Sequence, residues 1–94
     1  MDKKKLRYAI LKEVDSGNRG ITATSFGVSE EEFLEQVGFL DREGLITKPM
    51  YASNIVYSMS HVELTSKGEE YLEENSSLAK IYSGLKEIRD WIKI

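Results

Sequence analysis

Apolar residues recur at Leu6, Ile10 and Val14, the spacing of one face of an α-helix, and Asp2 stands where it can cap that helix before Gly17 in the turn "SGNRG" ends it. Ile21 is expected to form a short strand, and Thr22 to open a second helix of one or two turns, "TATSFG", closed by Gly27. Ser29 and Glu32 have the S-x-x-E spacing of a capping box, in which each satisfies an orphan amide at the helix start, so a third helix begins there. Phe33, Val37 and Leu40 line its inner face with Leu34 on the flank, and Gly44 is expected in the left-handed conformation that stops it. A strand should follow at once. The stretch "LITKPMYASNIVYSMSHVEL" mixes β-branched and aromatic residues around a polar turn at Ser53 and Asn54, which predicts a hairpin with Pro49 at an edge or a bulge. Thr65 then caps a short fourth helix, "SKGEEYLEEN". Ser77 is expected to cap a fifth that runs to the C-terminus, with Leu78, Ile81, Tyr82, Leu85, Ile88 and Ile92 on one stripe.

That order predicts an α+β, mostly helical fold: a winged helix-turn-helix domain with a β-hairpin wing and an added C-terminal helix. Ninety-four residues supply one core, so residues 1–94 are expected to form a single domain. The apolar seam of the last helix covers only two heptads, too few for a coiled coil, and the first helix has a stripe that needs cover. The two terminal helices are therefore expected to pair within one subunit. A monomer is the expected state, with a weak dimer the alternative.

Composition adds limits. With 40% hydrophobic residues and one proline the chain should fold unaided, and with no cysteine it has neither disulfides nor thiolate metal ligands. A cytoplasmic setting is expected on that ground. The apolar runs are short, and the basic start (Lys3, Lys4, Lys5, Arg7) leads into an amphipathic segment, so neither a membrane span nor an export signal is expected.

Charge position changes the picture more than the net value of −3. Residues 1–19 are mostly basic, whereas residues 20–44 set Arg42 alone against Glu30, Glu31, Glu32, Glu35, Asp41 and Glu43. Turning 100° per residue, the third helix presents Glu31, Glu32, Glu35, Gly38, Phe39 and Arg42 opposite its core face. In a winged helix that surface would enter the major groove, where binding gains from lysine and arginine releasing phosphate counterions. Only Arg42 and, from the wing, Lys48 could serve there, and these two are the candidate nucleic-acid contacts. A glutamate can accept a bond from the cytosine amino group, but three without a basic rim would be unusual. A protein partner therefore ranks ahead of duplex DNA. Its candidate binding face is Glu31, Glu35, Phe39 and Arg42. The alternative is a DNA-binding transcription regulator. Phe39 has a second reading, as packing against the wing or the terminal helices. Met50, Tyr51, Tyr57 and Met59 are either an adhesive wing or part of the core. A solvated amino terminus is the reading preferred for the basic start.

Catalysis ranks third. His61, the one histidine, lies among serines (Ser58, Ser60) with no orienting base nearby in sequence. The glutamates lack the alternating spacing of a calcium loop, and "SGNRG" lacks the lysine of a phosphate loop. No enzyme activity, metal or cofactor is expected.

Two groups of residues carry a resemblance. Phe39, Leu40, Arg42, Glu43, Gly44, Leu45 and Ile46, with "ELTSKGEEYL" (Glu63 to Leu72), resemble segments that recur across bacterial winged-helix regulators. Together, "KLRYAILKE", "GVSEEEF", "LTSKGEEYLEEN" and "GLKEIRDWI" resemble the YjcQ family of small proteins from Gram-positive bacteria and their phages. The resemblance runs through nearly the whole chain and is weakest from Lys48 to Val62. It implies a winged-helix-like fold and a phage or prophage setting, and brings no activity and no functional residue with it.

Overall fold

Local signals set most element boundaries in the computed structural model, which describes residues 2–93. Helix α1 spans Lys3–Asp15, and the Asp2 carboxylate accepts the Lys5 amide at 3.1 Å as its cap. Gly17 leaves it at φ 88°. Leu6, Tyr8, Ala9, Ile10, Leu11 and Val14 are all buried, a belt wider than one stripe, because α1 is covered on several sides at once. Ile21 is buried but does not form the expected strand. It leads through the extended Thr22 into α2, Ala23–Phe26, where the Ser25 hydroxyl accepts the Thr22 amide and Gly27 closes the turn at φ 69°.

The capping box of the third helix is present. Ser29 Oγ accepts the Glu32 amide at 3.0 Å, and Glu32 Oε1 accepts the Ser29 amide at 2.9 Å. These bonds hold the Glu32 carboxyl below its ordinary value, the bond to the Ser29 backbone foremost. Helix α3 runs Glu30–Arg42 and buries Phe33, Gln36, Val37 and Leu40, with Phe33 stacked on Phe26. Gly44 follows at φ 73°, and Leu45 and Ile46 drop into the core. The strand expected here is reduced to a single antiparallel bridge, Ile46 to Leu64, with Thr47 donating to the Glu63 carbonyl beside it.

Strands β1, Met50–Ala52, and β2, Ile55–Ser58, pair antiparallel across Ser53 and Asn54. Both turn residues have positive φ (48° and 66°), the hand that matches strand twist in a two-residue hairpin. A bulge between Met50 and Tyr51 follows directly on Pro49, which cannot donate to a ladder. Helix α4, Ser66–Glu74, is capped by Thr65, whose hydroxyl accepts the Gly68 amide at 3.0 Å.

The expected continuous fifth helix is not formed. A short α5, Ser76–Ala79, ends before a non-helical passage in which Gly84 takes φ 94°; a 3-10 turn at Leu85–Glu87 then leads into α6, Ile88–Lys93. Its expected run to the C-terminus ends on Ile94, outside the described residues. Asn75, not Ser77, precedes α5, and Ser83 Oγ bonds Glu87 Oε2 at 2.7 Å across the start of the new turn. The seam therefore divides. Ile81 is 53% exposed, Leu78, Tyr82 and Leu85 are half-buried, and Ile88 and Ile92 are buried together with Trp91.

Pairing of the termini survives in this shorter form, since α6 packs on α1. Asp2 N donates to the Ile92 carbonyl at 2.6 Å, Lys5 Nζ to the Trp91 carbonyl at 3.3 Å, and Tyr8, Tyr82 and Trp91 meet ring against ring. The result is mostly helical α+β, with one two-stranded antiparallel hairpin among the described residues and a C-terminal helix against the first. No described helix is long and apolar enough to cross a membrane.

Candidate functional site

Burying Phe33, Val37 and Leu40 leaves a stripe at Glu31, Leu34, Glu35, Gly38, Asp41 and Arg42 looking outward, and Tyr51 of β1 closes one side of it. These seven residues line an open groove of about 460 Å³ between α3 and the hairpin. Its floor is apolar and low, because Leu34 is half-buried and Gly38 has no side chain. The Arg42 guanidinium lies back along Gly38, so that a methyl there would sit 3.1 Å from Nη1.

The hairpin reaches the groove through Tyr51, which lies next to its bulge. Tyr51 pairs with Val56 and Met50 with Ser58, and Val56 and Ser58 are two apart on one strand face. The extra residue of the bulge is therefore Tyr57 of β2, which has no partner on β1 and stays exposed. Tyr51 donates to Asp41 Oδ2 at 2.9 Å. Desolvation against α3, and then that bond, push its phenol up to about 12. Met50, Tyr51, Ile55 and Tyr57 remain 37–67% exposed, whereas Met59 is buried. The hairpin and the residue after it thus divide between an exposed apolar surface and the core.

The sequence-level candidates separate on this geometry. Glu31, Glu35 and Arg42 meet in the groove. Phe39 does not line it: it is half-buried beneath Arg7, whose guanidinium carbon is 4.1 Å from the ring centroid. Arg7 also donates to Gln36 Oε1 at 2.8 Å, and Gln36, 2% exposed, passes the chain on to Glu35. Lys48 is exposed and lies outside the groove lining.

Three basic groups of α1 have partners within the chain, while Lys4 is exposed. Lys3 pairs with Glu35 at 3.1 Å, Lys5 lies 5.5 Å above the Trp91 ring, and Arg7 faces Phe39 and Gln36. The only other ion pair within 4 Å among the described residues joins Arg19 to Glu63, remote from the groove in sequence and partners. His61 is exposed, and Ser58 and Ser60 bond each other at 2.8 Å. Among the described residues no three histidine or carboxylate side chains stand close enough to share a metal ion.

Sequence reasoning missed Asp41, Leu34 and Gln36 as parts of this site. Asp41 was within reach: positions 31, 34, 35, 38, 41 and 42 form one helical stripe by arithmetic alone. Gln36 was not, since its partner Arg7 lies 29 residues away.

A family model described as YjcQ protein matches residues 5–91 of the chain. The chain is similar to a Bacillus subtilis (strain 168) protein described as "Uncharacterized protein YjcQ", at 47% identity over 95 residues, 99% of this chain and 100% of that protein. It is also similar to the solution NMR structure of the YjcQ protein from Bacillus subtilis, with a TM-score of 0.69 and 41% identity, covering 84% of this chain and 97% of that one.

Proposed function

The chain belongs to the YjcQ family, and on that premise we propose that it is a non-catalytic winged-helix module of phage or prophage type that docks a protein partner on α3 and the hairpin. The winged-helix reading is supported by element order: three helices, a hairpin leaning on the third, and a capped helix after it. The observation that carries the protein partner is the pairing of an acidic α3 face with an exposed apolar hairpin edge. A duplex would meet Glu31, Glu35 and Asp41 with Arg42 as the one cation lining the groove, while Lys5 and Arg7 of α1 lie against Trp91 and Phe39 and Lys3 is paired with Glu35. Binding a polyanion there would release few counterions. Aromatic and methionine side chains beside charge are the usual make-up of a protein interface.

Affinity capture from host and phage-infected cells, with nucleic acid retained and identified, tests this. The parent chain should retain a protein that resists nuclease treatment and is lost with Tyr51→Ala, a substitution at an exposed position. Recovery of a nuclease-sensitive nucleic acid, unaffected by Tyr51→Ala, would replace this reading with the regulator alternative.

A further inference from the structure

Acid at the start of a helix needs no partner, because the dipole favours it there. That accounts for Glu30 and Glu31 and, through the capping box, for Glu32. It does not account for Glu35, one turn further on, or for Asp41, which stands in the last turn where the dipole opposes a negative charge. Both face the groove, as does Glu31, which has no ion pair among the described residues. The floor between them, Leu34, Gly38 and the Tyr51 ring, is apolar and has space for a side chain.

Resting on the docking function proposed above, we infer that the groove takes a cationic segment of its protein partner, a lysine- or arginine-bearing stretch that sets one apolar side chain between Leu34 and Tyr51. Charge complementarity selects this occupant. The basic groups of the segment face Glu31 and Glu35 at the amino-terminal end of α3, where Lys3 is the one competing cation and its 3.1 Å pair is more than half exposed on both sides. An exposed pair of that kind exchanges readily for another. Arg42, whose guanidinium lies back along Gly38, repels the segment's cations from the carboxyl-terminal half of the groove and sets its direction, with Asp41 held by the Tyr51 hydroxyl. An anionic segment would meet three carboxylates.

Two synthetic helical peptides of alanine and leucine, identical except that one carries lysines where the other carries glutamates, test this against the intact chain by amide chemical shifts. The lysine peptide should move Glu31, Leu34, Gly38 and Tyr51 and lose affinity as salt rises. Glu31→Gln should weaken it about fivefold, the upper end for one exposed charge contact. Glu73→Gln on α4, away from the groove, should leave its affinity unchanged. Equal affinity of the glutamate peptide for the same residues would overturn the inferred charge while leaving the docking reading in place. No groove shift with either peptide also overturns the inference. Groove shifts produced by a DNA duplex would overturn the docking reading as well.

Discussion

Gly44 and Gly68 are both required, for opposite physical reasons. Gly44 has open space around it, and only its φ of 73° resists a side chain. Gly68 has ordinary helical geometry, but a methyl there would collide with the Leu45 carbonyl and lie 2.9 Å from Leu64 Cδ1. The two belong to one clasp, for Thr65 donates its hydroxyl to the Gly44 carbonyl and its amide to the Leu45 carbonyl, drawing α4 onto the chain that leaves α3. Hence "EGL" and "LTSKG" serve a common contact. Gly44→Val should cost more than about 1 kcal/mol through backbone strain alone. Gly68→Ala should cost about 1–3 kcal/mol as overpacking, although alanine is otherwise the better helix former. Denaturant melts check both; a Gly68→Ala protein as stable as the parent would mean that α4 sits further from Leu45.

At the scale of elements, the C-terminal segment is fastened by two separate contacts. Tyr82 donates to Glu13 Oε2 at 2.6 Å before the Gly84 break, and Ile88, Trp91 and Ile92 cover α1 after it. Ile88→Ala should therefore cost about 2–5 kcal/mol, as for other buried residues of its size, and Leu85→Ala, at a half-buried site, should fall below that range. Burial first, and then the bond to Glu13, raise the Tyr82 phenol above its ordinary 10.0. The unfolded chain thus releases this proton first, so the stability Tyr82 contributes is complete below about pH 10 and is lost as pH climbs beyond it. Tyr82→Phe should lower the melting midpoint at neutral pH and show a shallower decline above pH 10 than the parent. Parallel pH profiles for the two proteins would detach Tyr82 from Glu13.

Starts and stops written in neighbouring residues were legible in the sequence, as the caps at Asp2, Ser29 and Thr65 and the turns at Gly17, Gly27 and Gly44 show. Ile21 was misjudged because strand formation needs a partner elsewhere in the chain, and it has none among the described residues. The last helix was overextended because apolar spacing of 3.5 continues in phase across Ser83 and Gly84, although that pair is itself a turn signal. Glu31, Glu35 and Arg42 of the seven groove residues followed from helical arithmetic. The inward turn of Arg7 onto Phe39 did not, since it joins residues far apart in sequence.

For the molecule as a whole, charge distribution decides between the classes of partner. Acid faces outward on α3, three basic groups of α1 lie against Glu35, Trp91 and Phe39, and the apolar hairpin edge lies beside the acid. The most direct measurement is a fluorescence anisotropy titration of a labelled mixed-sequence DNA duplex at low and moderate salt. The account predicts no saturation tighter than about 10⁻⁴ M, the weak end of non-specific binding, at moderate salt. Tight, sequence-dependent binding that weakens steeply with salt and is lost in Arg42→Ala would contradict it.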